Sequence, residues 1–155
     1  MIPIMLIGTY RREIDDMARL VLPERWRTGF TRGLILTRGV DKNLMAFPIR
    51  RFQAIAEGIA TLTIENTDAR NWSRFLIGSA THQPLDKLGR LEIPPPLRVF
   101  ASVVKDVVLV GVLNRIEIWD ATKYEECEAR SASDIVQIAE RVGILLRATA
   151  ARTVG

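Results

Sequence analysis

Apolar and polar positions alternate in short runs over much of the chain. Residues 34–37 and 44–47 are two such runs, flanking the turn residues Val40-Asp41-Lys42-Asn43. Residues 107–112 and 116–119 form a second pair around Leu113-Asn114-Arg115. Aliphatic and β-branched side chains bounded by turn formers predict two β-hairpins. Shorter strands are predicted at 20–22 and 91–93, each followed by a proline that opens a short helix, 23–30 and 95–101. Elsewhere the period becomes helical. From Ile49, apolar residues return at Phe52, Ile55, Ala56, Ile59 and Leu62. Asp68 is placed to cap a further helix carrying Trp72, Phe75 and Leu76. Ser133 or Asp134 can cap a last one, with Ile135, Ile138, Ala139, Val142, Leu145 and Leu146 on its apolar side. The tail from Arg147 is mostly small residues and arginine and is expected to fray.

The same order of elements occurs twice, and so do their residues. Ile14-Asp15-Asp16-Met17-Ala18-Arg19-Leu20-Val21-Leu22-Pro23 matches Leu85-Asp86-Lys87-Leu88-Gly89-Arg90-Leu91-Glu92-Ile93-Pro94. Arg27 and Arg98 continue the match at the same spacing. Upstream, Leu6-Ile7-Gly8-Thr9 corresponds to Leu76-Ile77-Gly78-Ser79, and downstream Leu44-Met45-Ala46-Phe47 corresponds to Ile116-Glu117-Ile118-Trp119. Small drifts in spacing imply single-residue insertions in loops. Two copies of one unit, 1–70 and 71–155, are therefore expected. No low-complexity linker parts them, so they should share a core.

Within each copy, the D-x-x-x-R stretch has clear local physics. A carboxylate at Asp15 or Asp86 can accept backbone amides ahead of it and fix a turn. Gly89 supplies a positive φ, and Ala18 must reach the same left-handed geometry under strain or reshape the turn. The arginine then leaves the turn as a strand begins. Alternation sends Leu91 and Ile93 to the core, and Arg90 and Glu92 away from it. In isolation, such an arginine more often closes the turn onto its own aspartate. Two equivalent turns on one face would instead suit a duplex groove, where phosphates position and base edges specify.

Composition narrows the picture further. Among 155 residues, 48% are hydrophobic and 26% charged, as in ordinary globular proteins rather than disordered chains. Lys and Arg total 22 against 18 acids, a net charge of +4, and only Lys42, Lys87, Lys105 and Lys123 of those cations are lysines. Arginine suits bidentate contact with phosphates and base edges. A single cysteine, Cys127, and a single histidine, His82, exclude a disulfide scaffold and a His/Cys metal cage. No apolar stretch is long enough to span a bilayer, and residues 1–7 lack the basic start of a secretory signal. A reducing, cytoplasmic setting is expected.

At these residues the sequence resembles the MraZ family of bacterial transcriptional regulators, encoded at the head of the division and cell-wall gene cluster. The resemblance rests on Gly8-Thr9-Tyr10, both Asp turns, Leu76-Ile77-Gly78, and Leu109-Val110-Gly111 leading to Asn114-Arg115-Ile116-Glu117-Ile118-Trp119. It implies an α+β fold with a mainly β core: a tandem AbrB-type swapped-hairpin β-barrel with peripheral helices. It further implies a sequence-specific repressor, found in cytoplasm and nucleoid, that binds short direct repeats of double-stranded promoter DNA as a homo-oligomeric ring. Family motif residues carry over to Arg19 and Arg90 as DNA contacts and to Asp15, Asp86 and Gly89 as turn-fixing residues. The chain departs from the family pattern at Met17-Ala18, where Lys-Gly is usual, and at Leu88, where a basic or small residue is common.

Other residues leave two readings open. Arg11 and Arg12, with Lys87, can neutralise phosphates or form solvated surface; Arg25, Arg27 and Arg32 lean to the latter. Arg98 is expected to pair with an acid and His82 to serve a turn. Cys127 lies among Glu125, Glu126 and Glu128, which disfavour its thiolate, and is expected to be inert. Trp26, Trp72 and Trp119 read as core or subunit-interface anchors. With no nucleophile–base set, no small-molecule substrate, no cofactor and no metal site are expected. The rival to a DNA-binding regulator is an oligomeric structural or interaction module whose DNA binding is weakened or lost.

Overall fold

A computed structural model describes residues 5–154. Strand β1 (Leu6–Glu13) runs into the first Asp turn, and β2 (Arg19–Val21) leaves it. Helix α1 (Glu24–Arg27) follows Pro23 and tightens into one 3-10 turn, Thr28–Phe30. Next come the hairpin of β3 (Leu34–Arg38) and β4 (Leu44–Pro48), then α2 (Ile49–Ala60) and α3 (Thr67–Leu76). The order then returns: β5 (Thr81–Gln83), β6 (Arg90–Glu92), α4 (Pro95–Ala101), and the hairpin of β7 (Asp106–Leu113) and β8 (Ile116–Asp120). Helices α5 (Ala121–Ser133) and α6 (Ile135–Thr153) follow. The chain divides into two compact units, Met1–Ala121 and Thr122–Gly155.

In the first unit, six strands form one antiparallel sheet in the order β1-β7-β8-β4-β3-β5. The pairing is long-range: β1 lies on β7, with Leu6 opposite Leu113 and Glu13 opposite Asp106, and β4 lies on β8. Strands from the two sequence repeats are thus neighbours in one sheet. Gly111 permits the closest approach, since a Cβ there would run into the backbone of Leu6 and Ile7. A separate two-stranded ladder joins β2 to β6, with Leu20 opposite Leu91.

Alternation places Leu20, Leu22, Leu91 and Ile93 in the interior with Trp26, Phe30, Leu34, Leu36, Leu109, Ile116 and Ile118. Tyr10 meets Trp26 edge to face, with ring centroids 5.0 Å apart. A second cluster, Phe47, Phe52 and Leu76, fastens α2 and α3 to the outer face of the hairpin β3–β4. In the second unit, α6 contains no buried residue and leaves Ile135, Val136, Ile144, Leu145 and Leu146 exposed.

Five expectations change, the first being the tail from Arg147, which does not fray but continues α6 to Thr153. The barrel is not closed: β1 and β5 stand at opposite ends of the sheet without pairing, because β5 is only three residues long and reaches β3 alone. Asn66, not Asp68, caps α3, its side chain accepting the Ala69 amide at 3.0 Å, while Asp68 sits within the first turn. Leu76-Ile77-Gly78-Ser79 does not form the strand that Leu6-Ile7-Gly8-Thr9 begins; Leu76 instead ends α3, held in the second core cluster. Asp134 does precede α6, but its side chain makes no capping bond.

Leu20 and Leu91 are both fully buried and face one another across the short ladder. Replacing either with alanine should cost about 2–5 kcal/mol, seen in urea titrations as a lower midpoint with an unchanged slope.

Candidate nucleic-acid interface

Each Asp turn is built by one carboxylate. Asp15 Oδ1 accepts the amides of Met17 at 2.9 Å and Arg19 at 3.0 Å, and its Oδ2 accepts Arg19 Nε at 3.2 Å. Asp86 repeats the pattern with the amides of Leu88 and Arg90, both at 2.9 Å, and with Arg90 Nε. Backbone bonds close the loop identically: Ala18 N–H donates to Asp15 O and Gly89 N–H to Asp86 O, each at 3.0 Å. Both arginines therefore do pair with their own aspartates, as the turn-closing reading allowed. They are nevertheless not taken into the interior, since their side chains keep 30% and 28% of their surface in solvent.

The β2–β6 ladder brings the two turns side by side. Each is tied to the other copy, Leu22 N–H donating to Gly89 O and Ile93 N–H to Ala18 O. Arg19 Nη1 lies 4.0 Å from Asp86 Oδ2, so one carboxylate faces guanidinium groups from both turns. No sequence pattern announces this sharing. Gly89 holds φ +74, and a Cβ there would strike the Arg27 side chain, whose Nε donates to Leu22 O at 3.0 Å. Ala18 does take the left-handed conformation, with φ 60. The first turn therefore keeps its shape without glycine.

Both carboxyls titrate below their ordinary value of 3.8. The first cause is the backbone N–H of the motif arginine, Arg19 for Asp15 and Arg90 for Asp86, against a smaller desolvation effect that raises the value.

The family model for the MraZ protein, described as antitoxin-like, matches residues 5–75 and again residues 76–143. The chain belongs to the MraZ family. Relatives named as the transcriptional regulator MraZ include that of Natranaerobius thermophilus, 35% identical over 138 residues, covering 89% of this chain and 96% of the relative. That of Herpetosiphon aurantiacus is 36% identical with the same coverage. That of Limosilactobacillus reuteri is 36% identical over 140 residues, covering 90% of this chain and 99% of the relative.

The remaining candidates fall around or away from the MraZ-family turns. Arg12 lies over the Tyr10 ring, and its Nε donates to Val21 O of β2, which ties it to the turn strands. Arg11, its neighbour on β1, is exposed, as is Lys87 at the second turn. Arg98 forms no ion pair among the described residues, and its Nε is buried without a partner, contrary to the expected acid. His82 sits on β5 with Nε2 2.8 Å from Arg32 O. Cys127 is a free thiol. Trp26 and Trp119 are buried, whereas Trp72 is 38% exposed. Among the described residues, no cluster of His, Cys, Asp and Glu is arranged to hold a metal, and no helix is long and apolar enough to cross a membrane.

Two outcomes follow from the turn geometry. Gly89→Ala should destabilise by more than the cost of a left-handed L-residue, about 1–2 kcal/mol, because its Cβ also displaces Arg27 from its bond to Leu22 O, while Ala18→Gly should stay within about 0.5 kcal/mol of wild type, relieved strain offsetting added unfolded-state freedom; thermal melts compare them. Because the folded carboxyl values lie below the unfolded ones, the stabilisation from Asp15 and Asp86 is fully present above the ordinary value of 3.8 and is lost as the pH falls through the lowered values. Asp15→Asn with Asp86→Asn should flatten that acid limb of a stability–pH curve.

Proposed function

We propose that the chain is a DNA-binding transcriptional regulator that acts as a repressor. The carrying observation is the pair of Asp-fixed turns, set side by side by β2–β6 and each holding a part-exposed arginine at its exit. Family membership and the names of the relatives support the same reading. Asp15, Ala18, Asp86 and Gly89 fix the turns. Arg19 and Arg90 contact DNA, with Arg11, Arg12 and Lys87 adding phosphate contacts at the margin. Each of the repeat units 1–70 and 71–155 supplies one turn.

In this reading the regulator works in the cytoplasm, on the nucleoid. It assembles as a homo-oligomeric ring and occupies short direct repeats in the promoter of the division and cell-wall gene cluster. Repeats about one helical turn apart, roughly 10–10.5 bp, would meet successive subunits on one DNA face. The exposed apolar residues of α6 support self-association. They equally favour the rival, an oligomeric interaction module without DNA binding. The left-handed Ala18 argues for a preserved first turn and hence for the regulator.

Arg19→Ala and Arg90→Ala should each weaken binding to the DNA upstream of the chain's own gene, with an unchanged circular dichroism spectrum. Fluorescence anisotropy from about 50 to 200 mM salt checks this, since loss of a phosphate-type contact also shallows the salt dependence. Wild-type affinity in both variants would remove the arginines from the interface. A wild-type protein that binds none of that DNA would favour the interaction module.

A further inference from the structure

The tips of the two turns carry a feature that the arginines do not explain. Met17 and Leu88 occupy the same position in each turn, two residues before the motif arginine. They are 66% and 62% exposed, although charged residues surround them: Asp15, Asp16 and Arg19 at one, Asp86, Lys87 and Arg90 at the other. A single exposed apolar side chain needs no explanation, but here the equivalent position is apolar and exposed in both turns. Their backbone is not loose. The amide of Met17 and that of Arg19 donate to the same Asp15 oxygen, and the amides of Leu88 and Arg90 to the same Asp86 oxygen. The backbone under each apolar side chain is thereby held at a fixed offset from its arginine, once per turn, in two turns the β2–β6 ladder holds together.

We infer that Met17 and Leu88 read thymine through its 5-methyl group, at base pairs beside those contacted by Arg19 and Arg90. The inference rests on the DNA-binding reading above. In the major groove, guanine offers O6 and N7 to a guanidinium, and thymine alone among the bases offers an apolar group. An Arg and an apolar residue braced on one carboxylate form a two-part reader for adjacent bases. A lysine at the tip would add a sequence-blind phosphate contact; an apolar tip exchanges that for discrimination. Met17, unbranched and flexible, accommodates more geometries than Leu88, so the second turn is the more selective one.

Deoxyuridine in place of thymidine removes the methyl and keeps the pairing edge. The test uses duplexes tiling the DNA upstream of the chain's gene, made with thymine or with uracil, and titrated against wild type, Met17→Ala/Leu88→Ala and Arg19→Ala/Arg90→Ala. Both tips are exposed, so their removal leaves the fold in place. Wild type should bind its best thymine duplex roughly fourfold more tightly for each methyl contacted. The Met17→Ala/Leu88→Ala protein should bind weakly but equally to both duplexes, which separates a methyl contact from any change in DNA shape. Equal wild-type binding to the two duplexes, with binding still lost in Arg19→Ala/Arg90→Ala, overturns the inference and leaves the regulator standing. Undiminished methyl preference in Met17→Ala/Leu88→Ala also overturns it. No wild-type binding to any duplex removes the regulator and the inference together.

Discussion

A carboxylate that accepts two backbone amides and one guanidinium is the constraint from which the candidate interface follows. At Asp15 and at Asp86 the same few bonds fix the turn, orient the arginine that ends it, and set where the next strand starts. Charge-assisted bonds of this kind are stronger than neutral ones. Here they also favour the ionised acid, which is why both carboxyls titrate low. The arginine's Nε is committed to the turn. Among the described residues the Nη groups of Arg90 donate no hydrogen bond. A guanidinium so held presents a preset fork, and less rotamer freedom is left to lose on binding.

The turns matter as a pair because of a ladder only three residues long. Strands of that length are weak on their own. The β2–β6 ladder persists because its central side chains, Leu20 and Leu91, lie in the shared core, and because backbone bonds from Leu22 and Ile93 extend it at each end into the opposite turn. Arg27 adds a brace from the first copy under the second copy's glycine. The two copies are thus not equal. Gly89 packs against a guanidinium that is itself bonded to Leu22 O, whereas Arg98, the counterpart of Arg27, keeps an unsatisfied Nε.

Local features were legible in the sequence. The two hairpins, the proline-opened helices and the Asp turns each follow from spacings of a few residues, and the alternation at Leu91 and Ile93 gave their burial correctly. The motif repetition also carried the family assignment. What stayed hidden is non-local. No pattern within β1 says that β7 will lie beside it, and none in either turn says that Asp86 will approach Arg19. Asn66 and Asp68 are both good capping residues two positions apart, and only the helix start at Thr67 makes Asn66 the cap of α3. The Leu76 repeat match misled because four similar residues can end a helix in one copy and begin a strand in the other, depending on what they pack against.

The long-range pairing of β1 has a consequence for how the chain is made. During synthesis β1 is made long before its partner β7. Until then its hydrogen-bonding edge and Leu6 stay uncovered, and β2 waits likewise for β6. Completion of the sheet therefore waits for residues 106–120 and depends on slow closure of distant segments. A nascent chain in this condition carries bare strand edges on the ribosome, which is when aggregation competes with folding.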